Sequence, residues 1–428
     1  MEDHSGALQQ HDGAHEGWQK KTALFLSSQG LSLFGSMLVQ YAIIWYITLT
    51  TRSGFILTVA TIAAFLPQII ISLFAGVWAD RYPRKYLIIS ADALTAVSTL
   101  VLAVLFLLGY GELWLLILVS GIRSIGAGIQ TPAVQAFLPQ IVPTDRLIKV
   151  NGINGTLQPF IMIAAPITSG ALLSAARLEA IFFIDVATAI LAVSLLVMLK
   201  VPAHRKAAAE QTTGYLDDLK RGLTYIGQRR AIKRLFVFFA FGFFLVAPVA
   251  FLSPLLVART YGEEIWRLTA NEVTFFVGSI IGGIIMTAWG GFENRFRTIA
   301  LAFVLWGLLF AGLGLSRNFY VYLGIMFLAG IPMPMLNVPT TTLLQETVDP
   351  DMQGRVFGVM QLIMTAVMPL GMLVFGPLAD VITVELLLVV SSVLMVIPGL
   401  YMYIDKCLNS APRPLASSDY QMRPGDCA

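Results

Sequence analysis

Charged side chains are scarce in this chain of 428 residues. Asp, Glu, Lys and Arg together make up 12% of it, about half of the fraction that is usual for a soluble globular protein. Hydrophobic residues make up 57%, and the mean hydropathy is +0.77. So few charges do not cover the surface of a water-soluble chain. The composition therefore excludes a soluble enzyme and, away from the two ends, a disordered chain.

Cysteine and histidine are scarce too. The two cysteines, Cys407 and Cys427, both lie near the C-terminus, which excludes a disulfide framework. The four histidines lie outside every long apolar run and are His4, His11, His15 and His204. A histidine proton relay inside a membrane is thereby excluded, so any buried proton site must use a carboxylate. We expect the polar N-terminal tail to bind no metal.

Signals of several other protein classes are missing. The first 19 residues are polar and acidic, without the apolar core of a secretory signal. The phosphate-binding pattern Gly-x-x-x-x-Gly-Lys-Ser/Thr is absent, and no nucleophile has a neighbouring histidine. The formal charge of +3 is weak evidence for a nucleic-acid partner. We therefore expect no enzyme, no ATP-driven transport, no cofactor, no metal site and no nucleic-acid binding.

Long apolar runs are what the chain has in abundance. A helix rises about 1.5 Å per residue, so about 20 residues cross the hydrocarbon of a bilayer. Polar turns and Gly or Pro separate the runs. The predicted membrane spans are 22–49, 55–79, 87–109, 112–137, 152–175, 179–200, 232–257, 269–291, 298–316, 319–343, 356–379 and 384–404. The predicted fold is an all-α membrane protein of twelve transmembrane helices.

The basic residues predict the orientation of the chain. Successive connections between spans lie alternately on the two sides of the membrane. With this alternation, most Lys and Arg residues fall on the side of the N-terminus. The opposite side holds only Arg52, Arg177, Arg259, Arg267 and Arg317. Cytoplasmic loops carry the excess of Lys and Arg in membrane proteins. Both termini are therefore predicted to be cytoplasmic.

One long internal break divides the spans into six and six. Within it, Leu216, Leu219, Leu223 and Ile226 follow at helical spacing, which predicts an amphipathic helix. Two interpretations are open: a helix on the cytoplasmic membrane face with its basic side toward lipid headgroups, or a plain linker containing one helix. The predicted organisation is a cytoplasmic tail (1–20), a six-helix half (21–200), a cytoplasmic linker (201–231), a second six-helix half (232–405) and a cytoplasmic tail (406–428).

The two halves show a weak internal repeat. Residues 138–152, shifted by 206, meet residues 344–358 with five identities, at Leu138, Val142, Asp145, Val150 and Gly152. Both segments follow the fourth span of their half. A second pair of loops, at residues 80–84 and 293–297, agrees at two charged positions. Two pseudo-symmetric halves in parallel repeat are an arrangement found in many secondary transporters.

The loop between spans 2 and 3 carries a recognisable motif. It reads Gly76-Val77-Trp78-Ala79-Asp80-Arg81-Tyr82-Pro83-Arg84-Lys85 and resembles the signature loop of the major facilitator superfamily, with Pro83 where that family usually has Gly. Arg123-Ser124-Ile125-Gly126-Ala127-Gly128 in span 4 resembles the superfamily's buried-arginine motif. Ala165-Pro166-Ile167-Thr168-Ser169-Gly170 in span 5 resembles its antiporter motif without two of the glycines. The resemblance implies the major facilitator fold.

Along most of its length the chain is most similar to the macrolide-efflux branch of drug:proton antiporters. The similarity is carried by Ile43–Tyr46, Phe65–Gln68, Ile122–Gly126, Thr131–Ala133, Gly290–Glu293, Leu344–Glu346, Gly354–Phe357 and Met368–Gly371. It implies proton-coupled export of amphipathic drugs from a bacterial cell, with the protein in the inner membrane. Related branches carry siderophores and other compounds. The expected partners are a small-molecule substrate, protons and membrane lipid, and the protein is expected to be a monomer.

Charges within the spans are few, and each one points to function. Arg123 lies about 16 Å deep in span 4, near the middle of a hydrocarbon core about 30 Å thick. Asp92 in span 3 and Asp185 in span 6 each lie within about 6–8 Å of Arg123 along the membrane normal. Two interpretations are open: a proton switch, in which movement of Arg123 binds and releases a proton at one carboxylate, or a fixed ion pair that clamps the spans. Asp185 is the first choice as proton carrier.

The cytoplasmic loops are expected to form a gate. Asp80 is expected to accept from the N-terminus of a facing helix, and Arg84 lacks the acidic partner that the family often has at the end of span 4. In the second half, Glu346 is predicted to pair with Arg297. The alternative is that these charges only set the orientation of the chain. The predicted gate residues are Asp80, Arg81, Arg84, Glu293, Arg297, Glu346 and Arg355.

The substrate cavity is expected to be mostly apolar, with aromatic and amide groups. Its candidates are Gln40, Tyr41, Trp45, Gln158, Phe243, Asn337 and Met364, any of which could equally be ordinary packing. The predicted function is alternating-access export of macrolide-like molecules coupled to protons. The alternatives are a facilitator, an exporter of siderophores or metabolites, an importer whose buried charges are structural, and a receptor with a transporter fold.

Overall fold

The computed structural model describes residues 17–199 and 215–405 of the chain. Over these ranges the regular structure is helical, with no strand. The helices are α1 (Trp18–Thr51), α2 (Gly54–Arg81), α3 (Arg84–Leu107), α4 (Leu113–Ile141), α5 (Leu147–Ala175), α6 (Leu178–Met198), α7 (Tyr215–Gln228), α8 (Arg230–Thr260), α9 (Ile265–Trp289), α10 (Arg295–Leu315), α11 (Phe319–Gly330), α12 (Pro332–Thr347), α13 (Pro350–Leu378) and α14 (Val384–Ile404).

Twelve helical segments in the described ranges are long and apolar enough to cross a membrane, with α11 and α12 together forming one of them. The predicted twelve-helix class is confirmed. Most helices extend a few residues beyond the predicted spans, because terminal turns continue past the last apolar residue. Residues 1–16 of the predicted N-terminal tail, the predicted C-terminal tail and the first part of the linker lie outside the described residues, as do all four histidines and both cysteines.

The chain divides into two compact units. Unit 1 comprises Met1–Tyr46 and Ile62–Thr212, and unit 2 comprises Ile47–Thr61 and Thr213–Ala428. Residues Ile47–Thr61, the end of α1 and the start of α2, group with unit 2. The predicted boundaries of tails, halves and linker stay predictions.

Unit 1 is held at one end by an apolar cluster. Phe25 of α1, Phe137 of α4 and Leu196 of α6 are buried in it, and the ring centroids of Phe25 and Phe137 lie 4.8 Å apart. The Ser28 hydroxyl donates a hydrogen bond of 2.8 Å to the Ala192 carbonyl, which joins α1 to α6. Helix α3 packs against both α4 and α6. These four helices therefore surround the buried charged residues described below.

Close helix packing organises unit 2. Helix α8 packs against α13 and α14, while α10 packs against α12 and α14. Helix α9 packs against α11, where Gly278 and Gly282 face the main chain of Phe327 and Ile331. Small residues let membrane helices approach closely, so that van der Waals packing replaces the hydrophobic driving force that lipid does not supply.

The amphipathic helix predicted in the linker is present as α7. Asp218 forms an ion pair with Arg355 of α13, with Oδ1 and Nε 2.7 Å apart. The main-chain N–H of Asp349 donates a hydrogen bond of 3.0 Å to the Tyr225 hydroxyl. Ile226 is buried, whereas Leu223 stays exposed. One face of α7 is thus fixed to the start of α13, and contact of another face with lipid headgroups stays a prediction.

The contact between α9 and α11 gives a test of this packing. A Cβ at Gly278 would overlap the Phe327 carbonyl oxygen, whereas a Cβ at Gly283, five residues further along α9, would have no neighbour within 4 Å. We expect Gly278→Ala to destabilise the protein by about 1–3 kcal/mol, because the two helices must separate. Gly283→Ala is the matched control and should leave stability unchanged or slightly raised. Thermal unfolding in detergent measures both, and equal melting temperatures would contradict the described packing.

Candidate functional site

The buried charge of unit 1 is centred on Arg123. This residue lies on the eleventh position of the 29-residue helix α4, about 15 Å from its start, and is buried. Its Nη1 donates to the Asp185 carboxylate and to the Thr99 hydroxyl. Its Nη2 donates to the Ser36 carbonyl at 3.3 Å. Residues of α1, α3 and α6 therefore all accept hydrogen bonds from one guanidinium group of α4.

Asp185 is buried on α6 where α1 comes closest to it. A Cβ at Gly35 of α1 would lie 2.8 Å from Asp185 Oδ1 and would overlap the Thr188 hydroxyl. Only glycine fits there without displacing the carboxylate. The ion pair with Arg123 thus depends on a small residue on a third helix.

Asp92 of α3 has different surroundings. Its Oδ1 accepts hydrogen bonds from the Ser32 hydroxyl at 2.6 Å and from the Gln130 amide at 2.8 Å. Its Oδ2 is buried and, among the described residues, has no hydrogen-bond partner. No cation contacts it there. Leaving a buried charged oxygen without a donor costs more than leaving a neutral one, so these surroundings fit the protonated acid.

The pairing that the sequence left open is thus resolved geometrically. Arg123 contacts Asp185, while Asp92 contacts Gln130, which lies seven residues further along α4. Seven residues are about two turns, so Arg123 and Gln130 share one face of α4. On that face, the Arg123 cation contacts Asp185 and the neutral Gln130 amide contacts Asp92.

The predicted gate residues of unit 1 are held by main-chain atoms. Arg84 donates through Nε to the Ala79 carbonyl at 2.9 Å and through Nη1 to the Ala136 carbonyl at 2.7 Å. It thereby joins the ends of α2 and α4. Arg81 is exposed at the end of α2, and the side chain of Asp80 lies outside the described part of the chain.

The predicted gate residues of unit 2 form other contacts than the sequence predicted. Glu346 pairs with Arg295, with Oε1 and Nη2 3.6 Å apart, and the predicted pair with Arg297 was wrong. The two arginines differ by 200° around α10, and it is Arg295 that faces α12. The Arg297 guanidinium lies 5.9 Å from the Tyr403 ring centroid, and Glu293 is exposed.

The candidate cavity residues differ in exposure. In unit 1, Trp45 is fully buried and packs against Tyr41 with ring centroids 5.5 Å apart. The cavity-lining place predicted for Trp45 is corrected to a core position, because apolar packing encloses its large ring. Gln40 is partly exposed and Gln158 is exposed. In unit 2, the partly exposed candidates are Phe243, Asn337 and Met364.

Sequence reasoning missed a second charged cluster, at Asp380 in unit 2. The Asp380 carboxylate accepts hydrogen bonds from the Ser53 hydroxyl at 2.7 Å and from the N–H groups of Gly54 at 2.7 Å and Phe55 at 2.9 Å. Arg259, near the end of α8, donates to the same carboxylate at 2.9 Å. An acidic residue after an apolar run gives no signal by itself, since its partners come from a distant turn.

The electrostatics of this cluster favour the anion. Burial opposes ionisation of Asp380, but the N–H groups of Phe55 and Gly54, the Ser53 hydroxyl and Arg259 outweigh it. The pKa of Asp380 is therefore lowered from its ordinary value. A carboxylate at the first turn of α2 also complements the positive end of the helix dipole.

Glu272 of α9 was missed as well, although it lies inside the predicted span 269–291. It is the one acidic residue of α9. A search of every span for carboxylates would have found it.

Comparison with known proteins identifies the family. A family model described as the Major Facilitator Superfamily matches residues 25–372. The chain belongs to the Major Facilitator Superfamily. It is therefore a multi-pass membrane transporter of the bacterial inner membrane and not an enzyme, as predicted.

Relatives and solved structures of the superfamily agree with this assignment. The chain is 28% identical to macrolide efflux protein A of Streptococcus pyogenes over 384 residues, which cover 89% of this chain and 95% of that protein. A solved nucleoside transporter, NupG, superposes with a TM-score of 0.67 at 15% identity, covering 91% of this chain and all of that one. A bacterial homologue of the lysosomal transporter Spinster gives 0.69 at 14% identity, covering 90% of this chain and 96% of that one. The structural likeness shows the fold alone.

The Asp380 cluster of this major facilitator protein gives a test by hydrogen exchange. Asp380→Asn removes the charge that accepts from Gly54 and Phe55, so the protection of these two amides should fall by about tenfold to a hundredfold. Mass spectrometry of the peptide spanning the start of α2 measures it. Asp351→Asn, an exposed acid in the first turn of α13, is the control and should leave protection unchanged.

The pH dependence of the same protection follows from the lowered pKa of Asp380. A carboxylate with a depressed pKa stabilises the folded state above the ordinary carboxyl range, and this contribution is lost as the pH falls through the lowered pKa. Protection at Gly54 and Phe55 should therefore persist from pH 7 to about pH 4. Its loss between pH 7 and pH 5 would show that Asp380 is not stabilised as an anion.

Proposed function

We propose that this transporter exports amphipathic small molecules of the macrolide type by proton antiport, with both termini cytoplasmic. The observation that carries the proposal is the pair of unlike carboxyl groups beside one buried guanidinium, Asp185 with a cation and Asp92 without one. The similarity to macrolide efflux protein A supports the substrate class. Proton coupling rests on the chemistry of these three side chains.

The coupling step follows from competition for one positive charge. An arginine does not lose its proton at physiological pH, whereas a buried carboxyl group without a cation does not remain charged. In the described state Arg123 pairs with Asp185, while Asp92 contacts a neutral amide and no cation. If Arg123 moves from Asp185 toward Asp92 during the cycle, Asp185 takes up a proton and Asp92 releases one. Uptake from one side of the membrane and release to the other would couple the movement to a pH gradient.

A fixed clamp is the competing account of the same residues. In that account Arg123 stays on Asp185 through the whole cycle, and transport does not use the gradient. The neutral surroundings of Asp92 favour the switch, because a purely structural ion pair needs no second acid of α3 against the same face of α4.

The test measures macrolide transport by the full chain in proteoliposomes, with and without a pH gradient. Asp92→Asn imitates the protonated acid and keeps an acceptor for Ser32 and Gln130. We expect it to abolish gradient-driven transport while leaving thermal stability unchanged. Asp185→Asn leaves Arg123 buried without an anion, so it should abolish transport and also destabilise the protein by about 3–5 kcal/mol.

The matched control is Glu179→Gln, a partly exposed acid in the first turn of α6, which should transport like wild type. Gradient-driven transport that survives in Asp92→Asn would remove Asp92 from the coupling step. Transport by wild type that is indifferent to the gradient would replace antiport by facilitated diffusion.

A further inference from the structure

Glu272 is an acidic residue within a membrane-spanning helix of unit 2, and the proposed coupling step does not use it. It lies seven residues into α9, about 10 Å along the helix from Ile265. Acidic residues at such positions in membrane helices are costly and usually functional.

A hydrogen-bonded scaffold orients this carboxyl group. The Tyr322 hydroxyl of α11 donates to Asn271 Oδ1 at 2.7 Å. The Asn271 amide nitrogen then lies 3.2 Å from Glu272 Oε1 and 3.3 Å from the Ser253 hydroxyl of α8. Asn271 is fully buried, as is Tyr322. Since Tyr322 occupies the amide oxygen, the amide N–H groups are directed at Glu272, and three helices fix the position of Oε1.

No cation balances Glu272 among the described residues. The basic residue nearest to it along α9 is Arg267, which pairs instead with Glu264 at 3.0 Å and lies 5.4 Å from the Trp266 and Phe319 ring centroids. Glu272 thus differs from Asp185, whose charge is already compensated. Its Oε2 has no hydrogen bond to a described residue.

The side of α9 that carries Glu272 is only partly covered by the protein. Glu272, Ser279 and Gly283 lie on one side of the helix, between the face packed on α11 and the exposed isoleucines Ile280 and Ile284. Glu272 is partly exposed. About 16 Å further along the same side, a Cβ at Gly283 would meet nothing within 4 Å. A carboxyl group does not face hydrocarbon, so this side suits an aqueous space that admits a ligand.

We propose that Glu272 binds the positively charged amine of an amphipathic cationic substrate, an inference that rests on the proposed export function. An ammonium group supplies the missing counter-charge, and it forms a charge-assisted contact with the free Oε2. Phe276, one turn further along the same face, offers an apolar and cation-attracting ring to the rest of such a molecule. A proton on Glu272 would also neutralise the charge, but Glu272 is partly exposed whereas Asp92 is buried. The quaternary ammonium probe used below separates recognition of charge from proton uptake.

The experiment compares two probes that differ only in charge. One is a fluorescent aryl amphiphile ending in trimethylammonium, and the other is its uncharged tert-butyl isostere. The quaternary ammonium carries no exchangeable proton, so its binding reports recognition of charge and not proton uptake. Binding of each probe to the full chain in lipid nanodiscs is measured at constant pH.

We expect wild type to prefer the cationic probe, and Glu272→Gln to weaken its binding by about tenfold or more. Binding of the isostere should stay unchanged, which also shows that the variant is folded. Glu272→Asp keeps the charge and should keep the preference. Tyr322→Phe releases Asn271 and should weaken the cationic probe by a smaller factor. Glu179→Gln is the control acid of unit 1 and should bind like wild type.

Three results would overturn the inference. An equal loss for both probes in Glu272→Gln would assign Glu272 a structural role. Unchanged binding of both probes in that variant would remove Glu272 from recognition while leaving the export function in place. Binding of neither probe by wild type would overturn the proposed substrate class and, with it, the role of Glu272.

Discussion

The guanidinium of Arg123 is the constraint on which unit 1 depends. Arginine keeps its proton at any physiological pH, so its charge persists wherever the helix places it. In a hydrocarbon environment that charge costs at least about 3 kcal/mol unless the protein compensates it. The compensation comes from three other helices, through Asp185, Thr99 and the Ser36 carbonyl. The packing of α1, α3, α4 and α6 is therefore inseparable from the position of one side chain.

Carboxyl groups have a freedom that arginine lacks, since a proton makes them neutral. Asp92 and Asp185 are buried in the same unit, yet one meets an amide and a hydroxyl while the other meets the cation. Two acids whose surroundings differ in this way favour opposite protonation states. Movement of a single charge between them would exchange their protonation states, which is the step that the proposed proton coupling requires.

The sequence predicted the parts of this arrangement that depend on length and solvation alone. Helices that cross about 30 Å must be long and apolar, and an arginine inside one must have an anion nearby. It did not predict which anion, because axial depth placed Asp92 and Asp185 equally far from Arg123. Rotation of α3 and α6 about their axes decides the pairing, and that rotation depends on packing such as the close approach at Gly35.

Other failures have the same cause. Glu346 contacts Arg295 and not Arg297, because two residues along a helix point about 200° apart around its axis. Aligning the loops of the two halves in sequence does not show which side of the helix each residue is on. The Asp380 cluster joins a residue after α13 to the first turn of α2, more than 300 positions away. Such contacts have no local signature, so only the folded chain reveals them.

The internal repeat shows how the two units came to differ. Helices α4 and α6 (Leu113–Ile141 and Leu178–Met198) recur at a shift of 206 as Phe319–Thr347 and Val384–Ile404. At this shift Arg123 corresponds to Ala329 and Asp185 to Ser391, both buried. Both members of the ion pair are thus replaced in unit 2 by small uncharged residues. A buried charge without its partner would strongly destabilise the folded state, so both members of the pair are kept or both are replaced. Glu272 of unit 2 has no cation partner among the described residues, which is why we propose that a ligand supplies its counter-charge.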